Sequence, residues 1–370
     1  MTDQPIDLNP AMDAVADLEL TIVTHRMFDD AVEAMSVLHA RALHRRDGKR
    51  LRARGMLLLG SAGAGKTTVV QHFLNIHQSQ ETDDGIVMPV AVVEIPPAPT
   101  LRAVVDAIYS SLGYRAEKSL SAEDIIKDLM GKVDLLGVAT MLLDESHHIL
   151  ASRQAADVTE FIKSLLNRLG CSLIFSGLHE LADLRGSLQL SRRLFPDVVL
   201  RPYNFGNVAD RLEFMSFLAA VEENTMKHLQ SSISHQDVAR RLYAASGGLI
   251  GIVTKYLSHA LLLANLRGLG RIDLDLLADI DASWSGASVA PDDIAFDKDI
   301  EFDEGADIAA MLAAAGRARI DAATNPFKCP QDRLRGILEQ RIAQQLVEPP
   351  RRRLDRRMKG AGADPQSALK

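Results

Sequence analysis

The chain has 370 residues, of which 47% are hydrophobic and 25% charged, and its formal net charge is −7. This charge excludes a wholly basic nucleic-acid coat protein, although local basic patches remain compatible with it. The two cysteines, Cys171 and Cys329, show neither a disulfide framework nor metal-ligand spacing, which is typical of the reducing cytosol. No apolar run approaches the ~20 residues that cross a bilayer, so we expect a cytoplasmic protein without a membrane partner.

Hydrophobic patterns predict two segments in the first part of the chain. Residues 1–50 form an N-terminal helical segment, in which residues 27–43 carry apolar side chains at helical spacing. A basic stretch follows at 41–54. Residues 51–205 alternate short apolar runs with helical patterns, which predicts an α/β core of three layers around a five-stranded parallel sheet. The strands are expected at 56–59, 89–95, 138–143, 171–176 and 197–200.

The second part of the chain lacks the strand pattern. Residues 206–282 show only helical periods and predict a small all-helical unit. Residues 283–370 are expected to form a C-terminal tail that is partly disordered and binds a partner, because its sequence is acidic near 292–304 and basic near 351–359. A helical pattern at 331–345 lies between these charged stretches.

A glycine-rich loop separates the first core strand from a helical pattern. Its sequence, Gly60-Ser-Ala-Gly-Ala-Gly-Lys-Thr67, matches G-x-x-x-x-G-K-[ST] in full. Such a loop points backbone N–H groups at phosphate oxygens, and the following helix N-terminus adds partial positive charge. Lys66 is expected to reach the β/γ-phosphates and Thr67 to ligate Mg²⁺. The predicted ATP-binding residues are Gly60, Ser61, Ala62, Gly63, Ala64, Gly65, Lys66, Thr67 and Thr68.

An acidic pair, Asp144-Glu145, follows the third predicted strand. A strand can deliver a carboxylate beside the glycine-rich loop, so Asp144 is expected to hold the Mg²⁺ shell. Glu145 can then orient and deprotonate the attacking water. This pair favours ATP hydrolysis over the chemistry of nucleotide kinases and small GTPases, which lack a catalytic glutamate there.

Several further polar residues have a functional and a purely structural interpretation. Ser176, at the tip of the fourth strand, either senses the γ-phosphate or is a small residue at a tight turn. Arg192 and Arg193 precede the fifth strand, and we favour Arg193 as an arginine that reaches a neighbouring subunit's ATP over an ordinary surface pair. His147 and His148 are interpreted as polar residues at a helix start, and no metal is assigned to them.

With these motifs the chain resembles the AAA+ ATPases, and within them the TniB/TnsC-type transposition ATPases. The resemblance spans about residues 20–280, and its carriers lie at 56–67, 93–99, 142–150, 175–181, 189–195 and 246–252. It implies that the all-helical unit is an AAA+ lid. One departure is that residues 247–252 contain no sensor arginine, and Lys255 comes a turn later.

The resemblance implies an ATP-dependent regulator of DNA transposition. Such a protein oligomerises on duplex DNA as a ring or filament, selects a target, and recruits and activates a DDE transposase, with a target-selector protein as a further partner. Related ATPases contact DNA through the region after the second strand. The corresponding candidates for phosphate contacts are Thr100, Arg102, Lys118 and Ser119. Contacts of this kind predict low sequence specificity and strong salt dependence.

Other functions remain open from the sequence. A replication initiator or helicase loader shares the ATP site and DNA binding, but it should carry a dedicated DNA-reading domain, and no winged-helix pattern follows residue 283. A signalling switch or secretion-associated ATPase would bind ATP without DNA. A small-molecule kinase fits the Asp144-Glu145 pair least well.

Overall fold

The computed structural model describes residues 9–46, 49–83, 85–117, 120–186, 191–285 and 331–346. Its strands are β1 (Arg45–Arg46), β2 (Lys49–Arg50), β3 (Gly55–Gly60), β4 (Gln80–Thr82), β5 (Gly85–Val87), β6 (Val90–Glu94), β7 (Thr140–Asp144), β8 (Ser172–Gly177) and β9 (Val198–Leu200). Its helices are α1 (Asn9–Leu20), α2 (Arg26–Leu43), α3 (Lys66–Ile76), α4 (Leu101–Ser111), α5 (Ala122–Leu135), α6 (His148–Ala151), α7 (Ala155–Arg168), α8 (Val208–Thr225), α9 (Gln236–Ser246), α10 (Ile250–Leu266), α11 (Leu274–Ser285) and α12 (Gln331–Leu346). A 3₁₀ helix spans His179–Gly186.

The central sheet has five parallel strands in the order β6-β7-β8-β3-β9. Each strand lies within two residues of its predicted position. Because all five run in one direction, their carboxyl ends meet at the same edge of the sheet. The predicted five-stranded parallel sheet is therefore confirmed.

Alternating strand residues divide the core into two layers. Leu57 and Leu59 of β3 pack with the buried faces of α4, α5 and α7. Met56 and Leu58 point to the other face, where α2 and α3 cover the sheet. The α/β core therefore has the three layers that the sequence predicts.

The helices α8 to α11 form the all-helical lid, and α1 packs against its helix α10. Within the predicted N-terminal helical segment, the sequence pattern gave bounds only for a helix at 27–43; α1 is a further helix, whose buried residues are Ala11, Ala14, Val15 and Leu18. Among the described residues, no single helix has the length and hydropathy of a membrane span; α9 and α10 meet both criteria only when taken together across a 114° bend.

The C-terminal segment contributes one more helix to the lid. Residues 331–345 are assigned to the tail by sequence, but α12 packs against α9, and Arg341 Nε donates to the carbonyl oxygen of Ala244 at 3.3 Å. Four α12 side chains are buried in the lid core: Leu334, Ile337, Leu338 and Ile342. The acidic residues 292–304 and the basic residues 351–359 lie outside the described residues.

Replacing Leu334 with alanine should destabilise the lid. Its side chain is fully buried, and truncating such a leucine costs about 2–5 kcal/mol of unfolding free energy. Urea unfolding of the full chain measures the loss. Leu212→Ala is the matched control, because Leu212 of α8 is 59% exposed and should change stability by no more than about 0.5 kcal/mol. Equal effects of the two substitutions would show that α12 does not pack on the lid in solution.

Candidate nucleotide site

The glycine-rich loop joins the end of β3 to the start of α3. Gly63 and Gly65 have φ values of 79° and 91°, in the left-handed region that side-chain-bearing residues rarely adopt. These glycines let the chain turn sharply into α3 at Lys66. The first N–H groups of a helix lack intrahelical acceptors, so this end of α3 offers donors and partial positive charge to an anion.

Lys66 lies folded against the loop. Its Nζ donates to the carbonyl oxygens of Gly60 at 2.8 Å and Ser61 at 3.1 Å. Burial lowers the pKa of the Lys66 ammonium, while the nearby carboxylates of Glu145 and Asp144 oppose that shift. The carboxyl ends of β3 and β7 thus bring a cation and two carboxylates together.

The acidic pair follows β7 in a tight turn. Glu145 has a φ of 52°, which is unusual for a residue with a side chain and is found at sites whose surroundings hold the backbone in place. Its N–H donates to Asp144 Oδ1 at 2.9 Å, and its carbonyl oxygen accepts from the His148 N–H at 3.0 Å. This turn directs the Glu145 side chain into the cavity beside the loop.

Ser176 lies at the end of β8, between β3 and β7. Its carbonyl oxygen accepts from the Ser146 N–H at 2.8 Å, which joins β8 to the acidic turn. The Ser176 hydroxyl is fully buried, and it has no hydrogen-bond partner among the described residues. A buried hydroxyl without a partner is costly, but Ser176 does not line the cavity beside the loop, and its role as a nucleotide sensor stays a prediction.

A cavity of about 490 Å³ opens beside the loop. One wall is the glycine-rich loop with the first residues of α3, and Thr67 and Thr68 are exposed in it. The other walls come from the end of α1, its link to α2, the start of α2, the end of β9, and the lid, where residues 250 and 251 belong to the 246–252 motif. These lining residues are Leu18, Glu19, Thr21, Ile22, Val23, His25, Phe28, Leu200, Phe217, Val221, Ile250, Gly251, Thr254 and Lys255.

The walls outside the glycine-rich loop are mostly apolar but include polar residues, among them Glu19, His25 and Lys255. Burial lowers the pKa of His25, and the carboxylates of Glu213 and Asp29 oppose this shift. The His25 ring packs edge-on against Phe217 and Tyr203, at centroid distances of 6.1 and 5.8 Å. A mostly apolar cavity that ends in a phosphate-binding loop suits a flat base joined to phosphates.

The lid touches the glycine-rich loop directly. The Gly251 N–H of α10 donates to the carbonyl oxygen of Gly63 at 2.9 Å. A Cβ on Gly251 would lie 2.7 Å from that oxygen, and a Cβ on Gly63 would lie 2.8 Å from Ile252 Cδ1. Lys255 follows one turn later on α10 and lines the cavity, so the lid contributes a cation although it lacks the sensor arginine.

The comparisons with known proteins bear on this architecture. Residues 22–204, from the link before α2 to the end of the core, match the family model of the bacterial TniB protein. This part of the chain belongs to the TniB family. No curated protein sequence matches it significantly. The family assignment confirms the resemblance stated from the motifs, and the chain is an ATPase of the AAA+ class.

Solved structures show the same fold as this TniB-type ATPase. The Aeropyrum pernix ORC2 protein, solved in ADPNP–ADP complexes, has a TM-score of 0.51 at 17% identity over 70% of this chain and 68% of its own. The Aeropyrum pernix ORC1 protein, solved in complex with DNA, has a TM-score of 0.52 at 18% identity over 73% of this chain and 69% of its own. At these identities the likeness supports the AAA+ fold, including the helical lid.

Arg193 of the TniB-type ATPase lies far from its own glycine-rich loop. Its carbonyl oxygen accepts from the Gly55 N–H at 3.0 Å, at the start of β3. The loop leaves the other end of that strand at Gly60, about 16 Å away at the rise of a β-strand. Arg193 is half-buried and Arg192 exposed. Arg193 therefore adjoins the end of β3 opposite its own glycine-rich loop, and its action on a neighbouring subunit's ATP stays a prediction.

The candidate DNA contacts lie around α4, and two of the four can be described. The Thr100 hydroxyl accepts from the Ala103 N–H at 3.1 Å and caps α4. Arg102 donates to the carbonyl oxygens of Ala116 and Glu117, each at 2.8 Å. Its guanidinium thus holds the backbone before residue 118, and it also pairs with Asp106 at 2.8 Å. The other two candidates, Lys118 and Ser119, lie outside the described residues.

The two histidines after Glu145 begin the short helix α6. His148 Nδ1 lies 3.1 Å from the carbonyl oxygen of Ile95, at the end of the neighbouring strand β6. His147 Nδ1 lies 3.3 Å from Glu145 Oε2, but it forms no hydrogen bond with any described residue. Burial lowers the pKa of His147, and His148 lowers it further while Glu145 opposes the shift. Both histidines lie at the start of α6, as predicted, and His147 also adjoins the Glu145 carboxylate.

Proposed function

We propose that this TniB-type ATPase is an ATP-dependent regulator of DNA transposition that oligomerises on duplex DNA, selects the target and recruits and activates a DDE transposase. The observation that carries the proposal is the TniB family match, which covers a complete glycine-rich loop, acidic turn and serine at one sheet edge. An ATPase with this architecture can use nucleotide state to control assembly, because its lid and core both line the cavity.

The residues at the cavity fit ATP. The N-terminus of α3 and Lys66 would hold the phosphates, and the apolar wall with Ile22, Val23 and Phe217 would hold the base. Thr67 and Asp144 offer a hydroxyl and a carboxylate, which are oxygen ligands of the kind that Mg²⁺ prefers. Mg²⁺ bound there would neutralise charge on the phosphates.

Glu145 is the residue that we assign as general base. Its carboxylate would accept a proton from the attacking water, and the turn fixed by Asp144 and His148 positions it at the cavity. The unpaired Ser176 hydroxyl would report the presence of the terminal phosphate through β8. Arg193 would stabilise the transition state in the adjacent subunit, so hydrolysis would depend on the homo-oligomer.

Duplex DNA is the proposed scaffold for the oligomer. Arg102 holds the backbone of the segment that leads to Lys118 and Ser119, and Thr100 fixes the start of α4. Cations in this region would contact phosphates without reading base sequence. The similar ORC1 structure contains DNA, which supports DNA association for this fold. The binding constant should fall steeply with rising salt.

Electron microscopy of the purified protein with linear duplex DNA tests the proposal, with a non-hydrolysable ATP analogue compared with ADP. Rings or filaments on DNA only with the analogue would support it. A second arm adds a DDE transposase and asks whether it joins the ATP-state complex. Particles that ignore DNA in both nucleotide states would reject the proposal and favour an ATP-dependent switch that acts on proteins. DNA assemblies that load a helicase and leave the transposase unbound would instead favour a helicase loader.

Lys66→Ala should prevent assembly by weakening ATP binding. The substitution removes a charged donor worth about 1.5–3 kcal/mol, which corresponds to a roughly 10–150-fold loss of affinity. A fluorescent ATP analogue measures the affinity, and sedimentation measures the oligomer. Lys127→Ala is the control, since Lys127 of α5 is 64% exposed on the surface. Wild-type affinity in Lys66→Ala would contradict the assignment of this lysine to the phosphates.

A further inference from the structure

The turn after β7 brings three metal-ligating side chains together. One donor atom from each of Glu145, His147 and His148 lies within 4.8 Å of a donor atom of the other two. All three residues are half-buried, on a turn fixed by backbone hydrogen bonds from Ser146 to Ser176 and from His148 to Glu145. We infer that these three residues form a site for a divalent transition metal such as Zn²⁺, and that the metal inhibits ATP hydrolysis by occupying Glu145.

The geometry of Glu145 and His147 fits ligands of one ion. Two ligands bound at about 2.0–2.1 Å to a tetrahedral Zn²⁺ lie about 3.3–3.4 Å apart. The distance from Glu145 Oε2 to His147 Nδ1 is 3.3 Å. This nitrogen is buried and has no hydrogen-bond partner in the described part of the chain, so it is not committed to another contact. A neutral imidazole nitrogen and a carboxylate oxygen each offer a lone pair to a metal ion.

His148 has the hydrogen bond that orients a metal ligand. Its Nδ1 lies 3.1 Å from the carbonyl oxygen of Ile95, and a carbonyl oxygen only accepts, so Nδ1 carries the proton. The lone pair is then on Nε2. Histidines that bind metals commonly donate their second ring nitrogen to a backbone carbonyl in this way. The hydrogen bond to Ile95 therefore fixes the tautomer that a metal requires.

The donor set selects a different ion from the one expected with ATP. Two imidazoles and one carboxylate suit Zn²⁺ and neighbouring transition metals, whereas Mg²⁺ prefers oxygen ligands. A fourth position stays open for water, as in three-ligand zinc sites. Binding uses the Glu145 carboxylate as a ligand and forms no covalent product. The inhibition of ATP hydrolysis by the metal rests on the proposed role of Glu145 as general base. Metal binding at the three residues does not depend on that role.

Metal binding is measured directly on full-length protein without an affinity tag. The protein is stripped with a chelator, supplied with excess Mg²⁺ and titrated with Co²⁺, whose visible absorption reports its coordination; Zn²⁺ then competes. We expect one Co²⁺ per chain to be displaced by Zn²⁺. His147→Asn and His148→Asn should each lower the affinity at least about 10–100-fold, the range for changes around metal ligands. His44→Asn is the control, because His44 is exposed at the end of α2.

The second readout is the ratio of ATP turnover with and without Zn²⁺ at constant Mg²⁺, which does not depend on a variant's basal rate. Wild type should slow with Zn²⁺, and both histidine variants should lose that sensitivity. Circular dichroism and fluorescent-nucleotide binding verify that the variants are folded. Equal Co²⁺ affinity in wild type and a His147→Asn/His148→Asn double variant would overturn the site. Tight binding at the histidines without any effect on turnover would confirm the site and overturn its link to the base.

Discussion

Glu145→Gln is expected to lower the rate of ATP hydrolysis by about 10²–10⁴-fold, the usual contribution of a general base. The amide has nearly the shape of the carboxylate but cannot take a proton from water. Because Gln keeps the same backbone, the left-handed turn at φ 52° and the hydrogen bond from residue 145 N–H to Asp144 should persist. ATP affinity should therefore stay close to wild type, and ATP-bound oligomers should accumulate.

The measurement pairs steady-state ATPase rates with nucleotide affinity and sedimentation on duplex DNA. Glu94→Gln is the matched control: Glu94 is an exposed carboxylate opposite Asp144 at the end of the neighbouring strand β6. The Glu94→Gln variant should retain most of the wild-type ATPase activity. Hydrolysis at the wild-type rate in Glu145→Gln would show that another group activates water. An equal loss in both variants would indicate a general electrostatic effect of carboxylates at this edge.

The sheet and the phosphate-binding end of the site could be predicted because their signals are local. Each core strand is a short apolar run, and a parallel sheet gathers the residues after such runs at one edge. This logic placed Lys66, Asp144, Glu145 and Ser176 together, as the structure does. The β1–β2 and β4–β5 hairpins escaped prediction because strands of two or three residues carry almost no periodicity.

The rest of the cavity could not be predicted because tertiary packing brings its walls together. Ile22 and Phe217 lie far apart in sequence and share the cavity with the glycine-rich loop only after α1 and the lid have docked. Helical periodicity predicted α12 but not that it packs on the lid, because an apolar stripe does not identify the surface that covers it. The sequence showed that residues 247–252 contain no arginine, but it could not show that Lys255 lines the cavity from α10.

The second large effect is expected from disrupting the contact between the lid and the glycine-rich loop, which should lower nucleotide affinity. In Gly251→Ala, the new Cβ would lie 2.7 Å from the Gly63 carbonyl oxygen, closer than a backbone atom tolerates. The start of α10 must then move away, and the 2.9 Å hydrogen bond from Gly251 to Gly63 is lost. Overpacking of this kind costs typically 1–3 kcal/mol. Since lid and loop together enclose the cavity, we expect nucleotide affinity to fall roughly 5–150-fold.

Gly270→Ala is the matched control, because it also adds a methyl group beside the lid helix α10 but creates no clash with the glycine-rich loop. Gly270 follows α10, and a Cβ at this residue would meet no atom of the described residues within 4 Å beyond its chain neighbours. The affinity of this variant for a fluorescent ATP analogue should therefore match wild type. Urea unfolding without nucleotide measures how much of the overpacking cost in Gly251→Ala falls on stability, and Gly270→Ala should unfold like wild type. If Gly251→Ala bound nucleotide as tightly as Gly270→Ala, lid closure on Gly63 would not contribute to binding. A selective loss in Gly251→Ala would instead make this backbone contact the route by which bound nucleotide sets the position of the lid, and with it the surface that a neighbouring subunit meets.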